Sequence, residues 1–117
     1  AIGEVVPEVA GKLDGVAIRV PTPVVSLTDL VVEVSRETSA KEVNEAMQKA
    51  ADTSLKGILQ ICNTPLVSVD FKGNPYSSIL DSELTNVKGT MVKVMSWYDN
   101  EWGYSMRLIE MAAHVGT

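Results

Sequence analysis

Residues 24–51 run VVSLTDLVVEVSRETSAKEVNEAMQKAA, and within them the pattern passes from strand to helix. Up to Val34 the run is rich in β-branched residues, and Val32 and Val34 flank Glu33, so a long strand is expected. Ser39 followed three residues later by Glu42 is a capping-box signature. Ala40, Val43, Ala46, Met47 and Ala50 then recur at helical spacing, which gives one amphipathic helix of about three turns. Whatever surrounds this pair must supply sheet for the strand and a face for the helix.

Outward from it, strand signals dominate. VAIRV (16–20) reads as a short strand before Pro21 and Pro23, whose missing donors make PTP a bend or a sheet edge. After Gly57, ILQIC is a strand, Asn63-Thr64-Pro65 a turn, and LVSVDF (66–71) another strand. KGNP carries turn chemistry, and SSILDSE and MVKVMSWY are two further strands. At the start, Ile2, Val5, Val6 and Val9 fit one face of a helix tail that Pro7 limits. From about Glu101 to His114 the period is helical again, with Trp102, Met106, Ile109 and Ala113 on one stripe. Consecutive strands with few helices favour an α+β fold: a mostly antiparallel sheet with helices on one face and a long C-terminal helix. In residue terms this is a helix tail over 1–10, a strand-rich sheet over 15–98 containing a helix at 39–51, and a closing helix over 101–115. Neither GxGxxG nor GxxxxGK occurs, and strand–helix alternation is not regular, so a doubly wound nucleotide-binding fold is not indicated.

Composition narrows the function classes. The 117 residues carry a formal charge of −5 with 45% hydrophobic content, enough for one domain with a real core. No basic cluster is present, which argues against nucleic acid as a partner. No apolar run approaches a membrane span, so no membrane partner is expected either. The single cysteine excludes an internal disulfide or a cysteine-based zinc site, fits a reducing, cytosol-like compartment, and leaves a metal centre unsupported. The chain opens AIGEVV without methionine, as a fragment would.

Four of the six aromatic residues fall in SWYDNEWGYS, 96–105. Here Asp99 and Glu101 read as acids at a helix start, where the dipole favours them. Asn100 is either an N-cap or a planar amide able to donate and accept toward another primary amide. Tyr104 is either helix packing or a ring over a flat ligand. Trp97 and Trp102 read as core anchors. Arg19, in an otherwise apolar strand, either reaches the sheet edge or an acid, or binds an anion such as phosphate in bidentate fashion. Cys62 lies in an apolar strand and not at a helix N-terminus, and reads as a small buried residue. A Cys62–His114 dyad has no support in the sequence.

AIGEVVPEVAGKLDGVAIRVPTPVVSLTDLVVEV, LKGIL, VSVDF, SSILDS and above all SWYDNEWGYSMR, in this order, resemble glyceraldehyde-3-phosphate dehydrogenase over essentially the whole chain. LKGILQICNTPLVSVDF looks closer to the photosynthetic or bacterial branch. The resemblance implies the larger, C-terminal part of the catalytic domain of a phosphorylating enzyme. That enzyme uses NAD or NADP to oxidise glyceraldehyde 3-phosphate to 1,3-bisphosphoglycerate, through a cysteine thioester that inorganic phosphate cleaves. It further implies that Arg19 binds the substrate phosphate, that Asn100 holds the nicotinamide carboxamide, and that Tyr104 packs beside the nicotinamide ring, with Glu101 supporting them. The family's nucleophilic cysteine and its histidine would lie upstream of Ala1, so no catalytic residue is expected here and the 117 residues alone should be inactive. A homotetramer and a cytoplasmic or plastid-stromal location are implied too. Val24 and Val25 stand where the family commonly has Asn-Val, and Met106 where a polar residue is common. Two alternatives stand beside this: a non-catalytic oligomerisation or interaction module, and a related enzyme acting on an aldehyde phosphate such as erythrose 4-phosphate.

Overall fold

The computed structural model describes residues 2–117. A short helix α1 (Ile2–Val5) is followed by a 3-10 turn at Pro7–Val9; Ala1, counted in the expected helix tail, lies outside the described residues. The remaining elements in chain order are β1 (Ser26–Glu33), α2 (Ala40–Asp52), β2 (Leu59–Cys62), β3 (Ser78–Asp81), β4 (Asn86–Lys88), β5 (Met91–Tyr98) and α3 (Trp102–Val115). The architecture is the expected α+β, a five-stranded and mostly antiparallel sheet with helices and a long closing helix.

The long strand is β1, and it pairs antiparallel with all of β5, from Ser26 opposite Tyr98 to Glu33 opposite Met91. On its other edge β5 takes two partners end to end. β3 pairs where Trp97 and Ser96 lie, and β4 pairs at Lys93 to Met91. β4 and β5 form a hairpin whose turn begins at Gly89, φ 64°, the left-handed geometry that a two-residue turn with glycine first requires. β2 lies outermost and parallel to β3. These directions make β1 and β2 parallel, with α2 as the crossover between them.

Helix α2 begins as its capping box dictates. The Ser39 hydroxyl accepts from Glu42 N at 3.2 Å, and Glu42 Oε2 accepts from Ser39 N at 3.1 Å. Glu42 also accepts from Thr38 Oγ1 at 2.9 Å, and that hydrogen bond, with Arg36 nearby, lowers its pKa despite opposing desolvation. Its apolar stripe (Val43, Met47, Ala50, Ala51) packs on Leu59, Leu80, Val92 and Val94 from three strands. Asn44 anchors the same face, donating to Ser82 O at 2.9 Å while accepting from Thr85 Oγ1 at 2.7 Å.

A second cluster fills the opposite side of the sheet around Val25, Phe71 and the fully buried Ile79. Trp97 joins it, stacked on Phe71 with centroids 5.5 Å apart, and its Nε1 donates to Asp81 Oδ2 at 3.2 Å. The other Asp81 oxygen is buried and has no hydrogen-bond partner among the described residues. Val25 holds φ 70°, a conformation costly for a β-branched residue by about 1–2 kcal/mol. Burial of its side chain, worth about 1.5–3 kcal/mol, holds it there.

Three expectations are corrected. VAIRV is not a strand: residues 13–20 have no regular structure, and Ile18 is 79% exposed. Its alternation is real, but no neighbouring strand among the described residues offers a ladder, and the sheet begins only at Ser26. LVSVDF is not a strand either. Asp70 Oδ2 accepts from Val67 N at 2.9 Å and closes a 3-10 turn over Ser68–Phe71, a side-chain bond that competes with any ladder. Trp102 does not anchor the core; it is 54% exposed, as its neighbours along the α3 stripe largely are.

Candidate functional site

β5 ends at Tyr98 and α3 starts at Trp102, and the junction is organised by Asp99. This residue is only 6% exposed. Oδ1 accepts from Glu101 N at 3.0 Å and Trp102 N at 2.9 Å, capping the first free donors of the helix. Oδ2 accepts from Gly73 N at 2.8 Å, in a turn that follows Phe71. The Asp99 carbonyl receives Gly103 N at 2.9 Å. The backbone donors of Trp102 and Gly73 lower the Asp99 pKa against desolvation, with Glu101 N and the charge of Lys72 adding to them.

Of the two readings of Asn100, the capping role is thus taken by Asp99. Asn100 is exposed, and its amide makes no hydrogen bond among the described residues. It borders a cleft of about 170 Å³ together with Ser77, Tyr98, Asp99, Gly103 and Tyr104. Tyr104 is 67% exposed, so its ring lies on the surface and not in a core. Gly103 forms the tight wall: a Cβ there would lie 3.2 Å from Tyr76 O. Arg107, one turn on, fastens α3 beside the cleft by donating to Gly57 O and Ser77 Oγ, both at 3.2 Å, and to Glu110 Oε1 at 2.6 Å.

The structure thus brings Asn100 and Tyr104 to one cleft. Arg19 is exposed, is not among the residues lining that cleft, and makes no ion pair among the described residues. Glu101 enters the junction through its backbone: its N–H goes to Asp99, and its carbonyl accepts from Ser105 N and Oγ. Cys62 is half-buried at the end of β2 and donates its thiol to Thr64 O at 3.2 Å. His114 is exposed in the last turn of α3, and no hydrogen bond joins the two. Asp99 and Arg107 escaped sequence analysis as site-builders. The signal for Asp99 was present, since an acid just ahead of a helical run can accept from the N–H groups two and three residues on, which is itself a cap pattern.

A family model described as "Glyceraldehyde 3-phosphate dehydrogenase, C-terminal domain" matches residues 1–100. The chain belongs to the glyceraldehyde-3-phosphate dehydrogenase family. The chloroplastic glyceraldehyde-3-phosphate dehydrogenase GAPA1 of Arabidopsis thaliana is 56% identical over 113 residues, which cover 96% of this chain and 28% of the relative. Glyceraldehyde-3-phosphate dehydrogenase 1 of Streptomyces avermitilis is 54% identical over 116 residues, covering 99% and 35%. Glyceraldehyde-3-phosphate dehydrogenase 2 of a Synechocystis strain is 54% identical over 113 residues, covering 96% and 34%. This member of the glyceraldehyde-3-phosphate dehydrogenase family spans about a third of the length of the curated relatives it matches.

Proposed function

We propose that these residues serve as the C-terminal-domain portion of a phosphorylating glyceraldehyde-3-phosphate dehydrogenase. In that role they contribute binding groups to the oxidation of glyceraldehyde 3-phosphate to 1,3-bisphosphoglycerate. The observation that carries the reading is the cleft at the β5–α3 junction, where an unengaged primary amide stands beside an exposed aromatic ring. The donor set suits a nicotinamide. Asn100 can both donate to and accept from a carboxamide in one plane, and Tyr104 offers a face to a flat ring.

The cofactor, NAD or NADP, supplies the hydride acceptor when bound. Asn100 fixes which face of the ring is presented, Tyr104 limits its tilt, and Gly103 keeps the helix close enough to Ser77 for the cleft to stay narrow. Arg19, exposed and free of an acidic partner among the described residues, suits the phosphate of the aldehyde through its planar fork of donors. Cys62 takes no part: its thiol is committed to the Thr64 carbonyl, and His114 makes no hydrogen bond to it. The 117 residues alone are accordingly expected to show no thiol-dependent turnover, because binding groups do not replace a covalent nucleophile. The family's homotetramer and a cytoplasmic or plastid-stromal setting belong to the same proposal.

The test is a pair of substitutions in the full-length protein carrying this segment. Asn100→Ala is expected to raise the cofactor KM about tenfold, the loss of about 1.4 kcal/mol of hydrogen bonding, with the KM for the aldehyde phosphate little changed. Arg19→Ala is expected to do the reverse. Unchanged cofactor kinetics in the Asn100 variant would sink the nicotinamide assignment.

A further inference from the structure

We propose that Asp99 is a positioning residue for cofactor binding, acting through Asn100 by tying the start of α3 to the turn at Gly73. The inference rests on the reading of Asn100 as the nicotinamide contact. Asn100 has no protein partner for its own amide among the described residues, so its direction is set by the backbone on either side. On the following side, both neighbouring N–H groups, Glu101 and Trp102, are held by Asp99 Oδ1. The second oxygen reaches out of this local loop to Gly73 N, 26 residues away in the chain.

That second link gives the junction an external reference. Gly73 sits at φ 78°, where only glycine is unstrained. The next residue, Asn74, donates to Gln60 Oε1 of β2 at 2.8 Å and accepts from Tyr76 N at 3.0 Å. Tyr76 O is in turn the atom against which Gly103 is packed. The cleft wall and the cleft-bordering amide are thereby referenced to one turn, and Asp99 is the side chain that joins them. A helix cap alone needs one acceptor oxygen; the second oxygen of Asp99 does something a cap does not require.

Chemistry separates the two tasks. Asp99→Asn retains an oxygen for Glu101 N and Trp102 N, but its amide nitrogen would meet the Gly73 N–H donor to donor. Asp99→Ser retains a capping hydroxyl that cannot also span to Gly73, and serves where the Asn variant does not fold. In the full-length protein, steady-state kinetics of Asp99→Asn, Asp99→Ser and Asn100→Ala are compared for both substrates. The expected result is a cofactor KM raised about tenfold in all three, the KM for the aldehyde phosphate near the parent value, and a melting temperature for Asp99→Ser within a few degrees of the parent. If Asn100→Ala raises the cofactor KM while the Asp99 variants do not, the positioning role is refuted and the Asn100 reading survives. If the Asp99 variants raise both KM values together, Asp99 is a general structural residue and the proposal fails. If Asn100→Ala itself leaves the cofactor KM unchanged, the underlying reading is wrong and the proposal goes with it.

Discussion

Asp99 and Asn100 are neighbours of nearly the same shape, and the fold treats them oppositely. One is buried with three backbone donors on its carboxylate; the other is exposed with a bare amide. The difference is charge. An ionised carboxylate offers two acceptor oxygens and no donor, which matches the three N–H groups converging on it, whereas an amide would oppose one of them. This has a pH signature. The native pKa of Asp99 is lowered, so its contribution to stability is fully present above the ordinary aspartate value of about 3.9 and fades as pH falls through the lower native value. Urea unfolding of the full-length protein and of Asp99→Asn from pH 7 to pH 2.5 should show a constant stability gap down to about pH 4, then a shrinking one. A gap that widened on acidification would contradict the cap. The two tryptophans show the same dependence on surroundings: Trp97 stacks on Phe71, while Trp102 faces outward.

Helix α3 carries glycine in its first turn, where alanine would favour the helix by about 1 kcal/mol. Close approach to Tyr76 and Ser77 accounts for it. A Cβ on residue 103 would press on a backbone carbonyl at 3.2 Å, in a turn already tied by Asn74. Gly103→Ala is therefore expected to lower the melting temperature in spite of its better helix propensity, and to weaken the contact of Arg107 with Ser77. A rise in melting temperature would show that the turn yields and that the wall is not tight. Elements with self-contained signals are legible in the sequence. α2 announces itself through Ser39 and Glu42, and β1 and β5 through their β-branched runs. The elements that failed were decided elsewhere. Residues 16–20 alternate like a strand yet have nothing to pair with, and residues 66–71 alternate too but are turned by the Asp70 carboxylate. β4, three residues long, is a strand only because β5 stands beside it.

At the scale of the molecule, the chain is more open than a compact domain of its length. Its Cα radius of gyration is 15.1 Å, against about 13 Å expected for 117 residues. Residues 2–23 lie almost wholly exposed, and α3 presents Trp102, Leu108, Ile109, Met111 and Val115 outward. Exposed apolar side chains in this number favour association. Light scattering of the 117-residue chain across a dilution series should show mass rising with concentration, and a constant monomeric mass would count against this. By itself the sequence determined the α+β class, the start of α2, the long strands and the family. Each of these rests on period, local hydrogen bonding or a contiguous motif, all of which act between residues close in the chain. Only the tertiary structure decided that Trp102 faces outward, that the second Asp99 oxygen is taken by Gly73, and that Arg107 ties α3 to Gly57 and Ser77. Those outcomes depend on which donors and which surfaces arrive from distant segments, and burial and hydrogen-bond satisfaction are settled only when they meet.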